Sequence, residues 1–184
     1  MEINTFAIQG VVELTPRVFP DDRGYFFESY NHETFKGLGI GFPFEQDNQS
    51  FSKKGTIRGM HYQAPPVAQG KLVRVITGVA VDIVVDIRKG SSTYGKHLAV
   101  ELSAEKQNML YVPVGFAHGF QALTDCIFFY KCTNVYHKES EGGIRFNDET
   151  LNLPWDYNAP LISERDASMT AFADFDSPFT FEGV

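Results

Sequence analysis

The segment 57–71, I-R-G-M-H-Y-Q-A-P-P-V-A-Q-G-K, is the part of this sequence that decides its fold and chemistry. It places an arginine, a histidine and a lysine in one predicted strand and the turn that follows. Gly59 interrupts the alternation of an ideal strand, so a bulge there would put Arg58 and His61 on one face. An isolated histidine is commonly a hydrogen-bonded core residue, and Lys71, at the start of an apolar strand, could be a surface cap. Polar residues elsewhere in the chain decide between a structural and a functional interpretation.

The composition predicts one globular domain spanning residues 1–184, with 43% hydrophobic and 21% charged residues. The 17 Phe and 8 Tyr favour a β-rich core. The net charge of -7 argues against a general affinity for nucleic acid or for an anionic membrane, because both bind surplus Lys and Arg. An anionic small ligand held by a local cluster of basic residues remains compatible with this charge.

The two cysteines and the N-terminus point to a reducing compartment. Cys126 and Cys132 lie on one face of a strand predicted over 126–135, too far apart to form a disulfide. The N-terminal M-E-I-N-T-F has neither the basic start nor the apolar run of a signal peptide. Residues 107–124 are uncharged, but their proline, glycines, histidine and glutamines make a membrane span implausible. We therefore expect a cytoplasmic protein.

Short apolar segments separated by turn signals predict an all-β fold. The segment P-D-D-R-G at 20–24 predicts a hairpin turn, with a returning strand over 25–30. The strongest strand patterns are L-V-R-V-I-T-G and V-A-V-D-I-V-V-D-I. Asn31 can cap a short helix that includes Phe35. Many strands and few helices favour a sandwich or barrel, of which a jelly roll is the natural closed form.

Several polar side chains lie inside predicted strands. Gln46 and Asn48 share one side of F-E-Q-D-N-Q-S-F, which fits either an exposed edge strand or a ligand-binding strand. Asp82 and Asp86 share a face of an apolar run, and a buried carboxylate must be paired. Tyr130 lies on the inward face of its strand, where its hydroxyl either bonds a backbone carbonyl or has a chemical role.

The polar residues expected to point into a barrel form an acid–base set: Arg58, His61, Lys71, His118, Tyr130 and a carboxylate from Asp82 or the tail. An imidazole, with an ordinary pKa of about 6.5, suits a base, and a phenol, with an ordinary pKa of about 10, suits an acid. A lysine would stabilise an enolate oxygen. A base and an acid on opposite faces of a sugar ring would invert a carbon, which is epimerisation.

A metal site is the competing interpretation. The segment P-V-G-F-A-H at 113–118 matches half of the metal-binding pattern of cupins. The other half would supply H-x-H and a glutamate, whereas His61 is followed by Tyr62 and Gln63. Two histidines without a carboxylate are too few for a usual site, which needs at least about three protein ligands. We expect no metal and no cofactor, with a metal-dependent cupin oxygenase as the alternative.

Six motifs, in this order, closely resemble the dTDP-4-dehydrorhamnose 3,5-epimerase family of metal-free cupins: R-G-M-H-Y-Q, Q-G-K-L-V-R-V, V-V-D-I-R-K-G-S-S-T-Y-G, V-P-V-G-F-A-H-G-F, Y-K-C-T-N-V-Y and S-E-G-G-I-R-F-N-D. The resemblance extends from about Phe6 to Asp166. It implies a cupin-type jelly-roll barrel with a few short helices. It also implies epimerisation of dTDP-4-dehydro-6-deoxy-D-glucose at C3 and C5 to dTDP-4-dehydro-L-rhamnose, a step of dTDP-L-rhamnose biosynthesis.

The resemblance implies catalytic roles for four residues. His61 would remove the C5 and then the C3 proton, and Asp166 would orient it. Lys71 would face the C4 oxygen, and Tyr130 would return the proton from the other side.

The same resemblance implies the residues that hold the nucleotide, diphosphate and sugar. They are Arg23, Phe26, Glu28, Gln46, Asp47, Asn48, Arg58, Lys71, His118, Tyr136, Glu141 and Arg165. Arg23 and Arg58 would bind phosphate oxygens, which match a guanidinium fork. Arg165 stands where a lysine is common in the family.

The resemblance further implies a homodimer. In this dimer, the N-terminal segment 6–14 of each chain would add a strand to the partner's sheet. The 23–28 hairpin would reach the partner's site. Two alternatives stay open: a mono-epimerase that acts at C3 or C5 of a related dTDP-4-keto-6-deoxy sugar, and a non-catalytic cupin that binds sugar nucleotides. The residues after Asp166 carry no assignable motif.

Overall fold

The computed structural model describes residues 1–40 and 43–182, and strands dominate this part of the chain. The strands are β1 (Glu2–Thr5), β2 (Val12–Thr15), β3 (Phe19–Asp21), β4 (Gly24–Phe26), β5 (Gln46–Ser52), β6 (Ile57–Gln63), β7 (Lys71–Thr77), β8 (Val79–Asp86), β9 (Arg88–Lys89), β10 (His97–Ser103), β11 (Met109–Val112), β12 (Phe116–Ala122), β13 (Cys126–Cys132), β14 (Glu141–Gly143) and β15 (Phe179–Thr180). The helices are α1 (His32–Gly37) and α2 (Glu164–Ala167), with 3₁₀ turns at Lys138–Ser140 and Phe172–Asp174. The predicted all-β class with a few short helices is confirmed.

Two antiparallel sheets pack into a cupin-like sandwich. The larger has the order β1-β2-β11-β7-β13-β5, and the smaller has the order β10-β8-β12-β6-β14. A β3–β4 hairpin and a parallel β9–β15 pair stand apart from them. Because β6 and β13 belong to different sheets, side chains that point inward from these two strands approach the interior from opposite sides.

Strand β8 shows why the core is layered. Ala80 and Val84 pack between the two sheets, whereas Ile83 and Val85 pack on the outer face, beneath the C-terminal part of the chain. A strand covered on both faces is apolar almost throughout, which explains the continuous pattern in its sequence.

Helix α1 covers the outer face of the larger sheet. Its residue Phe35 is fully buried in a cluster with Leu14 and Leu72. The side-chain oxygen of Asn31 accepts hydrogen bonds from the N–H groups of Glu33, at 3.0 Å, and Thr34, at 3.2 Å. The predicted helix cap is therefore confirmed.

The bulge predicted at Gly59 is present between β6 and β12. His61 pairs with His118 and Arg58 pairs with Phe120, so two residues of β6 oppose one residue of β12. Gly59 has a φ of +139°, and a Cβ there would lie 2.5 Å from the Cα of Gly119. Glycine is required at this close approach between the strands.

The structure shortens two predicted strands. The β3–β4 hairpin turns at the predicted position, but β4 ends at Phe26 instead of continuing to residue 30. Strand β13 ends at Cys132, three residues before the predicted end at Val135. Cys126 and Cys132 are buried free thiols, as predicted. Among the described residues, no helix is both long and apolar enough to cross a membrane.

Candidate active site

His61 and Asp166 form the first of two histidine–carboxylate pairs. Nε2 of His61 lies 2.8 Å from Oδ1 of Asp166, a residue 105 positions later in the chain. The other carboxylate oxygen accepts the Gly59 N–H at 3.3 Å, and the Ser163 hydroxyl accepts the Asp166 N–H at 3.1 Å. Burial raises the pKa of Asp166, but the hydrogen bonds from His61 and Gly59 outweigh it and lower the pKa below its ordinary value. An ionised, fixed carboxylate therefore orients His61.

The predicted base and acid share a cavity of about 310 Å³. Its lining residues are Ser50, Arg58, His61, Lys71, His118, Phe120, Phe128, Tyr130, Glu141, Ser163, Arg165 and Asp166. His61 enters from β6 of one sheet and Tyr130 from β13 of the other. Burial raises the pKa of Tyr130, which keeps its phenol protonated and able to act as a proton donor.

Lys71 lies beside Tyr130 in the larger sheet. Its Nζ is 6.0 Å from the centre of the Tyr130 ring. Burial lowers the pKa of Lys71, and this change is opposed by the nearby Cys132, Asp82 and Glu141. A poorly hydrated ammonium in this position interacts strongly with a negative oxygen, because little water screens it.

His118 and Asp82 form the second pair. Nε2 of His118 lies 2.8 Å from Oδ2 of Asp82, on the adjacent strand β8. Asp82 is fully buried, and its Oδ1 has no hydrogen-bond partner within residues 1–40 and 43–182. His118 lines the cavity, whereas Asp82 is not among the lining residues.

Asp86, the other carboxylate in the β8 sequence, has a structural role. Its oxygens accept hydrogen bonds from Arg88, Ser91 and Thr93 at 2.6–3.0 Å. Burial raises its pKa, and these bonds outweigh that effect and lower it. Both carboxylates of β8 are buried, and each is paired, as a buried carboxylate was expected to be; Asp86 lies outside the two cavities described here.

A second cavity, of about 330 Å³, shares His61, Lys71, Tyr130 and Glu141 with the first. Its remaining lining residues are Gln46, Asn48, Tyr62, Gln63, Gln69 and Tyr136. Strand β5 is an edge strand, as one interpretation of its polar sequence predicted, and it also supplies Gln46 and Asn48 to this cavity.

The predicted residues Tyr136, Glu141 and Arg165 meet at the rim. The Tyr136 hydroxyl donates to Oε2 of Glu141 at 2.8 Å, and Nη2 of Arg165 lies 2.7 Å from the same oxygen. Burial raises the pKa of Glu141, but the bonds from Arg165 and Tyr136 outweigh it and lower that pKa. Arg165 and Asp166 are neighbours in α2, so this rim contact also ties α2 to β14.

Four predicted binding residues lie outside both cavities of their own chain. Asp47 points away and pairs with Lys131 at 2.8 Å. The Arg23 side chain is 90% exposed and pairs with Asp21, and Phe26 is 69% exposed. Glu28 accepts a hydrogen bond from Asn31 at 3.1 Å.

The sequence analysis missed several cavity residues: Ser50, Phe120, Phe128, Ser163, Tyr62, Gln63 and Gln69. The rings of Phe120 and Phe128 stack with centres 3.9 Å apart. Both have the same strand parity as His118 and Tyr130, so the period-two pattern could have identified them. No comparable signal marks Ser163, which reaches the site from the tail.

The described residues contain no group of three or more His, Cys, Asp or Glu side chains arranged to hold a metal ion. Both histidines of the cavity instead bond to single carboxylates.

Residues 5–174 match the family model described as dTDP-4-dehydrorhamnose 3,5-epimerase. This chain belongs to the dTDP-4-dehydrorhamnose 3,5-epimerase family. The dTDP-4-dehydrorhamnose 3,5-epimerase of Salmonella typhimurium is 49% identical over 165 residues, which cover 88% of this chain and 90% of the relative. That of Shigella flexneri is 46% identical over 178 residues, covering 96% and 98%.

A solved structure from this epimerase family shows the same fold. The dTDP-6-deoxy-D-glucose-3,5-epimerase of Legionella pneumophila, in complex with dTDP-4-keto-L-rhamnose, superimposes with a TM-score of 0.95. It is 38% identical, and the match covers 99% of each chain. The family indicated by the sequence motifs and the cupin-like fold are both confirmed.

Proposed function

We propose that this chain epimerises dTDP-4-dehydro-6-deoxy-D-glucose at C3 and C5, giving dTDP-4-dehydro-L-rhamnose for dTDP-L-rhamnose biosynthesis. One observation carries the proposal: His61, oriented by Asp166, and Tyr130 face the same cavity from opposite sheets. This arrangement allows a proton to leave one face of a ring and another to arrive at the opposite face. Membership of the epimerase family supports the choice of sugar nucleotide.

In the first half of the reaction, His61 removes the proton from C5. The C–H electron pair moves into a C4–C5 double bond, and the C4 carbonyl π electrons move onto oxygen to form an enolate. Lys71 stabilises the negative oxygen, and Asp166 stabilises the imidazolium that His61 has become.

In the second half, Tyr130 protonates C5 from the opposite face. The enolate electrons return to C5, the C4 ketone re-forms, and the configuration at C5 is inverted. His61 now carries an extra proton and Tyr130 lacks one, and exchange with water restores both. The same steps at C3 complete the reaction. Catalysis requires no metal or cofactor.

The rest of the nucleotide sugar would be held by the remaining polar residues of the two cavities. Arg58 donates through Nε to the Ser52 hydroxyl at 3.1 Å and through Nη2 to the Phe51 carbonyl at 3.2 Å. These bonds hold the guanidinium in place while other N–H groups remain for a phosphate oxygen. Gln46, Asn48, His118, Tyr136, Glu141 and Arg165 complete the proposed binding set.

We further propose that residues 1–184 form a single domain and that two copies of the chain form a homodimer. We propose that this homodimer is located in the cytoplasm. Exchange of the N-terminal segment 6–14 would add a strand to the partner's sheet. Two features support this assembly. Strand β1 is an exposed edge of the larger sheet, and Arg23, Phe26 and Glu28 project away from their own site, where a neighbouring site could use them. Asp47 also stays a proposed binding residue.

The test is incubation of the purified protein with dTDP-4-dehydro-6-deoxy-D-glucose in heavy water. We expect NMR to show deuterium at both C3 and C5, and a reductase specific for the epimerised product to consume it. Exchange at one carbon would reduce the function to mono-epimerisation. Absence of exchange with retained dTDP binding would leave a sugar-nucleotide binder. Addition of a chelator should leave the rate unchanged.

A further inference from the structure

Four carboxamide side chains line the second cavity, and three of them have their oxygens bonded to the protein. The Gln46 oxygen accepts the Tyr136 N–H at 2.7 Å, and the Asn48 oxygen accepts from Gln46 at 3.0 Å. The Gln63 oxygen accepts the His137 N–H at 2.9 Å. The oxygens of these three amides therefore stabilise the cavity wall through hydrogen bonds within the protein.

The fourth carboxamide, Gln69, differs. Its Nε2 donates to the backbone carbonyl of Asn134 at 2.7 Å, while its Oε1 accepts from no donor in the described part of the chain. A carbonyl partner fixes which end of the amide is the nitrogen, so the oxygen must be the end left unbonded. Gln69 therefore presents an uncommitted acceptor on a cavity-lining side chain.

The segment that carries Gln69 is held on both sides. Asn134 Nδ2 donates to the Ala68 carbonyl at 2.8 Å. The Gly70 N–H donates to the Thr133 hydroxyl at 2.8 Å, and the Thr133 N–H donates to the Gly70 carbonyl at 3.0 Å. An acceptor fixed in this way is pre-organised, because little freedom remains to be lost when a ligand donates to it.

Gln69 lies two residues before Lys71 and lines the same cavity. The two residues give this cavity a donor, the ammonium, and an acceptor, the amide oxygen. An α-hydroxyketone is the complement of this pair, since its carbonyl accepts and its hydroxyl donates. In the proposed substrate the ketone is C4, and of the two flanking carbons C3 carries a hydroxyl, whereas C5 carries a methyl group and the ring oxygen.

We infer that Gln69 is a specificity-determining residue that accepts a hydrogen bond from the C3 hydroxyl while Lys71 contacts the C4 oxygen. This inference rests on the proposed function. Gln69 would hold the C3 side of the sugar in register for the second proton removal, and the C5 step would depend on it less.

The experiment compares Gln69→Met with the unsubstituted protein. Methionine has a similar length and no amide. Deuterium incorporation from heavy water is followed at C3 and C5 of dTDP-4-dehydro-6-deoxy-D-glucose by NMR. Loss of one neutral hydrogen bond should slow C3 exchange by about three- to tenfold relative to C5 exchange. An unchanged ratio of the two rates would overturn the inference.

Asn134→Ala is the matched control. It removes the Asn134 side-chain bond to Ala68 but keeps the backbone carbonyl that Gln69 uses. It loosens the segment but keeps the Gln69 amide, so it should change the C3-to-C5 ratio less than Gln69→Met does. The same change of ratio in both variants would assign the effect to loop order and overturn a direct contact.

A substrate analogue provides a further test, part of which does not require the Gln69→Met variant to fold. With the 3-deoxy analogue of the sugar nucleotide, C5 exchange should be equally fast in the Gln69→Met variant and in the unsubstituted protein. If Gln69→Met does not fold, the unsubstituted protein should bind the analogue about three- to tenfold more weakly than the 3-hydroxy sugar, and equal binding would overturn the inference. Absence of all exchange in the unsubstituted protein would instead overturn the proposed function.

Discussion

The two histidine–carboxylate pairs have the same 2.8 Å bond and very different surroundings. The side chains of His61 and Asp166 are 26% and 6% exposed, whereas those of His118 and Asp82 are 8% and 0% exposed. Asp166 uses both oxygens, one on His61 and one on a backbone N–H, while Asp82 has one oxygen without a partner in the described residues. An accessible imidazole can exchange protons with a ligand and with water. The buried pair instead places a fixed charge beside the site.

Removal of the accessible imidazole should have the largest effect. We expect His61→Ala to lower kcat by about 10²- to 10⁴-fold, because a general base acts in the transition state. The affinity for dTDP, measured by calorimetry, should change little. A comparable loss of dTDP binding would contradict the assignment of His61 as the base.

The partner carboxylate comes second. Asp166→Asn keeps the size of the side chain but removes the charge that stabilises the imidazolium, so kcat should fall by about 10- to 100-fold. Steady-state kinetics measure this loss, and KM should change less than kcat. A variant with nearly full activity would show that His61 needs no charged partner.

The buried pair should matter less for the rate. We expect Asp82→Asn to lower kcat by less than about tenfold, because the proposed function gives His118 a role in binding and not in proton removal. Circular dichroism must first establish that the Asp82→Asn variant folds. A loss of kcat as large as that of Asp166→Asn would then show that the two pairs are equivalent.

The smallest expected effect is a shift of the alkaline limb of activity. In the proposed reaction, Lys71 stabilises the enolate only when it is protonated. Burial lowers the pKa of Lys71, and the Asp82 charge is among those that oppose this lowering. Asp82→Asn should lower the pKa of Lys71 further, so activity should be lost at a lower pH than in the unsubstituted protein. Burial raises the pKa of Tyr130, so the phenol stays protonated to a higher pH than an ordinary tyrosine.

The pH profile of kcat/KM measures this shift. The titratable and charged groups that share the cavity with Lys71 or act on its pKa are Arg58, His61, Asp82, His118, Tyr130, Cys132, Glu141, Arg165 and Asp166. Asp166→Asn serves as the comparison, because Asp166 is not among the charges that act on Lys71. If the alkaline limb has the same position in Asp82→Asn as in the unsubstituted protein, the Asp82 charge does not influence the pKa of Lys71.

Local patterns explain what the sequence could predict. The bulge at Gly59, the hairpin turn and the cap at Asn31 each depend on a few neighbouring residues, and each was confirmed. The resemblance to the family also indicated eight of the twelve residues that line the first cavity.

The remaining features depend on contacts between distant parts of the chain. Nothing near Gln69 in sequence shows that Asn134 fixes its amide. The inward position of Phe128 follows from strand parity, but its stacking on Phe120 requires two strands from different sheets. Arg23 and Phe26 are exposed and lie outside both cavities of their own chain, and no pattern in the neighbouring residues indicates this.

The source of Asp166 has a consequence for protein synthesis. The strands that carry His61, Lys71, His118 and Tyr130 all precede α2, and His61 is separated from its partner by 105 residues. During translation the barrel strands leave the ribosome before the residue that orients the base. In the proposed reaction, His61 therefore gains its orienting carboxylate only after α2 has been synthesised and has packed against β6.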